Sequence, residues 1–129
     1  MTSLHCPFCN IPAERKISET EYSVTLRDGH PVSRGHTLVV PRRHVESIFE
    51  CTVHEKAHIL QALEDARQAL DREFSPDGYN IGINDGEAAG QTVPHLHVHL
   101  IPRYKGDASD PRGGVRWIFP ERAKYWERE

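Results

Sequence analysis

Three histidines recur at every second position in His95-Leu96-His97-Val98-His99. Alternate side chains of an extended strand point to opposite faces. The spacing therefore predicts three imidazoles on one face, with Leu96, Val98 and Leu100 on the other to anchor the row in a core. An imidazole is near neutral at physiological pH, so it can attack phosphorus directly and leave as a stable group. Neighbouring imidazoles can hold phosphate oxygens and protonate a leaving group. A polar sheet face with histidines by chance, and a metal site built on His-x-His pairs, are the competing readings. The lead-in favours chemistry at phosphorus. Gly90-Gln91-Thr92-Val93-Pro94 brings a flexible glycine and two polar side chains, suited to donate to phosphate oxygens, beside the first histidine.

A second group of reactive side chains is Cys6-Pro7-Phe8-Cys9. In a reducing compartment such a pair reads as a metal clamp or a redox pair rather than a structural disulfide. No βαβ pattern surrounds it, which argues against the redox use. Cys51 reads as a lone thiol, His5, His30, His54 and His58 as exposed, and His36 as packed near a strand without a role.

These groups need a scaffold. The chain has 129 residues, enough for one domain with one core. Its formal charge of -3 gives no general attraction to nucleic acid or anionic membrane, so any anion site must be local. No stretch approaches the roughly 20 apolar residues of a membrane span. Met1-Thr2-Ser3-Leu4-His5-Cys6 has neither a basic nor an apolar leader region, so a cytoplasmic location is expected. Period-two alternation predicts a strand over 21–26, with a turn at Asp28-Gly29, and the short β-rich run Thr37 to Val40, stopped by Pro41, predicts a second strand. A short helical turn is expected over 45–49. Thr52-Val53-His54-Glu55 is a capping box, and it opens a helix over 53–74. Tyr79, Ile81 and Ile83 mark a third strand, and 95–101 a fourth, ended by Pro102. The basic, glycine-rich segment 110–117 reads either as a solvated turn followed by an edge strand, the favoured reading, or as a loop that reaches the substrate across a dimer, and a short amphipathic tail follows. The order predicts an α+β domain with an antiparallel sheet.

The stretch Gly90-Gln91-Thr92-Val93-Pro94-His95-Leu96-His97-Val98-His99-Leu100-Ile101-Pro102-Arg103 resembles the histidine triad (HIT) superfamily, whose motif alternates histidine with apolar residues. Cys6-x-x-Cys9, the run Arg34-Gly35-His36-Thr37-Leu38-Val39-Val40-Pro41-Arg42-Arg43-His44, and Asn84-Asp85-Gly86 extend the resemblance over nearly the whole chain. Residues 84–107 look closest to the Fhit-like branch, the dinucleoside polyphosphate hydrolases. The cysteine pair and His44 look more like bacterial relatives of that branch.

The resemblance implies a HIT-like fold over 1–129: one main helix, a short C-terminal helix, a zinc knuckle within 1–15 and a tail over 105–129. It implies catalytic roles for His97, His99 and His95: His97 as the nucleophile forming a nucleotidyl-histidine, His99 at the α-phosphate and bridging oxygen, and the His95 carbonyl on His97 Nδ1. Asp28 matches a ribose-binding position, Asn84 a site facing the phosphates, and Gln91 and Thr92 phosphate-binding positions. The base pocket is expected to be apolar and loosely selective. A structural zinc on Cys6, Cys9, His44 and His95 is implied, as is a twofold homodimer, with no nucleic acid or membrane partner. The implied reaction is hydrolysis of dinucleoside polyphosphates in two steps. A Hint-like hydrolase of nucleoside phosphoramidates or aminoacyl adenylates, a nucleotide sensor with incidental turnover, and a metal-storage protein using all three row histidines are the alternatives. Slow turnover with tight product binding would mark the sensor, and metal on His97 the storage protein.

Overall fold

The computed structural model describes residues 5–127, so what was read on residues 1–4 and 128–129 lies outside them. Five strands form one antiparallel sheet: β1 (Lys16–Glu19), β2 (Ser23–Arg27), β3 (Thr37–Pro41), β4 (Gly78–Ile83) and β5 (Val98–Arg103), in the order β1-β2-β3-β5-β4. The long helix α1 (Val53–Phe74) joins β3 to β4, and the short helix α2 (Pro120–Ala123) lies near the C-terminus. This is the expected α+β fold, with one main helix and a short C-terminal one.

The sheet buries apolar side chains on both faces of its middle strands. Val39, Leu96 and Val98 meet Ile59 and Ala62 of α1 on one face. On the other, Val24, Leu26, Leu38 and Val40 are covered by Phe8 and Ile11 from the N-terminal segment. Fully burying such a side chain contributes roughly 1.5–3 kcal/mol relative to leaving it exposed, so the two layers hold the sheet from both sides. No helix among the described residues is long and apolar enough to cross a membrane.

Helix α1 starts where its capping box requires. Thr52 Oγ1 accepts the Glu55 N–H at 3.1 Å, and Glu55 Oε1 accepts the Thr52 N–H at 2.8 Å. Glu55 is buried, and its carboxylate is also gripped by Arg43 at 2.8 and 3.1 Å. The far end of α1 presses on the turn before β3. Gly35 has φ +90°, and a Cβ there would lie 2.9 Å from Leu70 Cδ2 and 3.0 Å from the Phe74 ring. Only glycine fits both the angle and the space, and this seat places the next residue, His36, against the sheet.

The structure corrects the sequence reading in four places. Among the described residues there are five strands rather than four. The unforeseen one, β1, is an edge strand whose only aliphatic side chain, Ile17, is half exposed and whose register is broken by a bulge between Lys16 and Ser18. The histidine-bearing strand begins at Val98, not at His95. Continuing the β3–β5 register would bring Leu96 opposite Pro41, which has no N–H, so the ladder stops and the Leu96 N–H turns to the Val45 carbonyl at 2.7 Å. Pro102 does not end that strand. β3 pairs with β5 only over Val98 to Leu100, so at Pro102 one side of β5 has no neighbour and a missing N–H is tolerated. Finally, the expected edge strand near Trp117 is a 3-10 turn, Gly114–Ile118, coiled by positive φ at Gly113 and Gly114 and held by the Trp117 Nε1–H donating to the Arg112 carbonyl at 2.7 Å.

Candidate active site

The three histidines of the row do three different things. His95, in the bend before β5, is fully buried. Its Nε2 lies 2.8 Å from the Pro41 carbonyl. A carbonyl only accepts, so Nε2 carries the proton and Nδ1 presents a lone pair. That lone pair faces Cys6 Sγ at 3.3 Å, Cys9 Sγ at 3.5 Å and His44 Nδ1 at 3.2 Å, and His44 Nδ1 is 3.2 Å from Cys9 Sγ. The four donor atoms lie within 4.8 Å of one another. The edges of a tetrahedral zinc site with two sulfur and two nitrogen ligands are on the order of 3.3–3.8 Å, so the donor set and its spacing fit that ion. Burial pushes the Cys6 thiol up and the His95 imidazole down in pKa.

His97 stands just before β5, half-buried, with Phe8 packed on its ring at 5.0 Å between centroids. Its Nδ1 is 2.9 Å from the His95 carbonyl. By the same logic Nδ1 carries the proton, and the Nε2 lone pair is free. The next ring, His99, is 5.2 Å away, centroid to centroid.

His99 is set by a residue to which sequence reasoning gave no role. The Val32 N–H donates to His36 Nδ1 at 3.1 Å, which puts the His36 proton on Nε2. That Nε2 lies 3.0 Å from His99 Nδ1 and 3.4 Å from Asp28 Oδ2. His99 Nδ1 therefore accepts, and its own proton sits on Nε2. Two backbone groups, the Val32 amide and the His95 carbonyl, thus leave adjacent imidazoles with opposite faces forward: a bare nitrogen on His97 and an N–H on His99. Burial lowers the pKa of both His36 and His99, which keeps both neutral near pH 7. The signal for His36 was available in Gly35-His36 immediately before a buried strand, but a lone histidine there is indistinguishable from packing.

The remaining expected residues are dispersed around this core. Asp28 follows β2 and is turned inward: Oδ2 faces His36 and His99, at 3.4 and 3.9 Å, and Oδ1 accepts the His30 N–H at 2.8 Å. Asn84 is exposed directly after β4, one position beyond the Ile83–Val98 pair, and so lies at the level of His97. Thr92 is exposed in a cleft of about 510 Å³ shared with Glu46, Gly86, Glu87, Gln91 and Pro94. Gln91 has its amide committed within the loop. Its Oε1 accepts the Gly86 N–H at 2.8 Å, and its Nε2 donates to the carbonyls of Glu46 and Val93 at 2.9 and 3.2 Å. His58, expected to be exposed, is half-buried against Tyr22 and Thr20. Cys51 is a buried thiol near the Ser47 carbonyl.

The buried imidazoles make stability pH-dependent. His36, His95 and His99 hold protons less readily in the folded chain than at their ordinary 6.5. Below about pH 6.5 the unfolded chain binds more protons, so stability falls as pH drops from there toward the lowered folded values. Every tenfold difference in proton affinity costs about 1.4 kcal/mol. Glu55 acts in a separate window. Arg43 lowers its pKa, so its contribution is lost only as pH falls below about 4.5. Thermal unfolding between pH 5 and 8 is expected to show a flat midpoint above pH 7 and a falling one below 6.5. A midpoint that rises on acidification contradicts the neutral assignment.

An antiparallel α+β sheet with an interior strand, β5, that carries one histidine and is led in by two more, with His97 and His99 aimed in complementary tautomers, defines a histidine triad domain. The family model described as HIT domain matches residues 10–106. Protein hit of Bacillus subtilis is 41% identical over 108 residues, covering 80% of this chain and 74% of that protein. The bis(5'-nucleosyl)-tetraphosphatase (asymmetrical) of Schizosaccharomyces pombe is 41% identical over 91 residues, covering 70% of this chain but 50% of that protein. A solved structure, a zinc-bound histidine triad family protein from Mycobacterium smegmatis, superposes with a TM-score of 0.73 at 36% identity, covering 82% of this chain and 80% of that one. The chain belongs to the HIT family.

Proposed function

We propose that this chain is a nucleotide hydrolase that cleaves the α-phosphate linkage of dinucleoside polyphosphates through a nucleotidyl-histidine at His97. The observation that carries the reading is the 2.9 Å bond from His97 Nδ1 to the His95 carbonyl, which leaves Nε2 as the one bare ring nitrogen beside the His99 N–H. His97 Nε2 forms a bond to the α-phosphorus as the bond from phosphorus to the bridging oxygen breaks. The His99 Nε2 proton passes to the departing oxygen, and the His95 carbonyl stabilises the cationic ring of the adduct. Water then attacks the same phosphorus and returns a proton to His99 Nε2, releasing His97 and a nucleoside monophosphate. The relative from Schizosaccharomyces pombe, named for hydrolysis of such a substrate, supports the substrate class.

In this reading Asp28 meets the ribose, Asn84 and Thr92 face the phosphates with uncharged dipoles, and Gln91 joins them only when its bonds to Gly86, Glu46 and Val93 open. Cys6, Cys9, His44 and His95 would hold a zinc ion, whose contribution is to fix the His95 ring and hence its carbonyl. A second copy of the chain is the expected partner.

Hydrolysis of diadenosine tetraphosphate in ¹⁸O-labelled water tests the site of attack. The label is expected in adenosine monophosphate and absent from the adenosine triphosphate released with it. Label in the larger product, or absence of the monophosphate, rejects attack at the α-phosphorus.

A further inference from the structure

Beyond His99, the same face of β5 continues through Ile101 to Arg103, and Asn80 of β4 stands opposite Ile101. At about 3.3 Å per residue these positions lie roughly 7 and 13 Å along the strand from His99. There the sheet and the loop before β3 enclose a groove of about 630 Å³, lined by Ser33, Arg34, Asn80, Ile101, Arg103 and Tyr104, with Val32 and Asp107 at its margin. Val32 is the residue whose N–H sets His36, so the groove adjoins the catalytic cluster directly.

The charges in the groove are unequal in what they can offer. Arg103 is gripped by Asp107 through two bonds of 2.8 Å and also donates to Asn80 Oδ1; the Asp107 carboxyl is held down at about 2. That pair is neutral and fixed. Arg34 has no carboxylate partner among the described residues. Its guanidinium lies 5.5 Å from the Phe74 ring centroid and 5.3 Å from that of Tyr104, so the cation is held in place by aromatic contacts rather than by an anion. Tyr104 secures the backbone beneath it, its hydroxyl donating to the Arg34 carbonyl at 2.7 Å. Beside it, Ser33 Oγ is buried and has no hydrogen-bond partner. Buried hydroxyls are ordinarily satisfied, so this one lacks what a ligand oxygen would supply.

We propose that this groove binds the departing half of the substrate, a nucleoside polyphosphate, with a distal phosphate on Arg34 and Ser33 Oγ and the base against the Arg34–Tyr104 stack. The inference rests on the hydrolase reading and extends it: the groove gives the chain a preference for dinucleotides over substrates with a small leaving group. Planar guanidinium and aromatic surfaces accept any base, so the preference concerns the presence of a second nucleotide rather than its identity.

Diadenosine tetraphosphate and adenosine 5′-phosphoramidate react at the same kind of phosphorus but differ in what departs, so together they isolate the groove. Arg34→Ala is expected to lower kcat/KM for the dinucleotide by about 10- to 100-fold, the range of a lost charge-assisted hydrogen bond. The phosphoramidate, with nothing to reach the groove, should change less than about twofold on the same scale. Arg34→Lys keeps the charge but not the stacking plane, and should recover part of the loss. Equal losses on both substrates, or no loss on the dinucleotide, overturn the subsite. Unmodified protein that turns over the phosphoramidate but not the dinucleotide also overturns it while leaving histidine catalysis standing. Unmodified protein that cleaves neither removes the hydrolase reading and the subsite with it.

Discussion

Replacing His97 with alanine is expected to lower turnover of diadenosine tetraphosphate by at least about 10⁴-fold while nucleotide still binds within about threefold of the unmodified protein. The size of the effect follows from the absence of a substitute. His99 shows an N–H where a nucleophile needs a lone pair, because His36 already delivers a proton to its other nitrogen. His95 has its Nε2 on the Pro41 carbonyl and its Nδ1 among the cysteines. Removal of the His97 ring leaves Asp28, Asn84 and the His99 donor in place, so ground-state binding survives. Steady-state rates and equilibrium binding on one preparation separate the two quantities. Quench of the unmodified protein during turnover in alkaline denaturant, which preserves a phosphorus–nitrogen bond, should leave one nucleotidyl group on the peptide containing His97. A His97→Ala protein retaining more than a few per cent of its rate would remove covalent catalysis from the reading.

Removing metal is expected to have the next largest effect, on the fold rather than on a chemical step. Two thiols and two imidazole nitrogens converge at 3.2 to 3.5 Å, with His95 fully buried among them. Without a cation this is a cluster of lone pairs and buried polar groups. With one, it staples the N-terminal segment to the loop after β3 and to the approach to β5. Elemental analysis should find one zinc per chain. Stripping it with a strong chelator should lower the thermal midpoint by on the order of 10 °C, from about 3 kcal/mol of lost stability. Cys9→Ser should reproduce most of that fall without chelator. A preparation free of metal with the same midpoint would show that the four side chains pack without an ion.

Helix α1 was legible to the residue because its start is chemical, the reciprocal bonds of Thr52 and Glu55, and its end is covalent, Pro76 following a left-handed Ser75. Alternation located β2 and β4, while β3, buried throughout, was found as a short β-rich run ended by Pro41. It failed for β1, which sits at the sheet edge and buries almost nothing, so its sequence carries no period. It also placed the row of histidines on one continuous strand. Spacing alone could not show that Pro41 ends the ladder, nor that its free carbonyl turns His95 toward the cysteines. Side-chain types and order pointed to Cys6, Cys9, His44 and His95 as a donor set through family resemblance. The distances between them depend on loops whose closure no local pattern encodes. The groove beside Arg34 was illegible for the same reason: Ser33, Asn80 and Tyr104 come from three separate segments, and each alone is an ordinary polar residue.

The loop before the histidines has a consequence for how an anion arrives. Gln91 spends both ends of its amide on the chain itself, clasping Gly86 with its oxygen and the carbonyls of Glu46 and Val93 with its nitrogen. It can offer hydrogens to an incoming phosphate only by releasing those partners. While the clasp holds, the Gln91 nitrogen has no hydrogen left for a further acceptor, so a phosphate-binding role for this side chain requires those three internal bonds to open first.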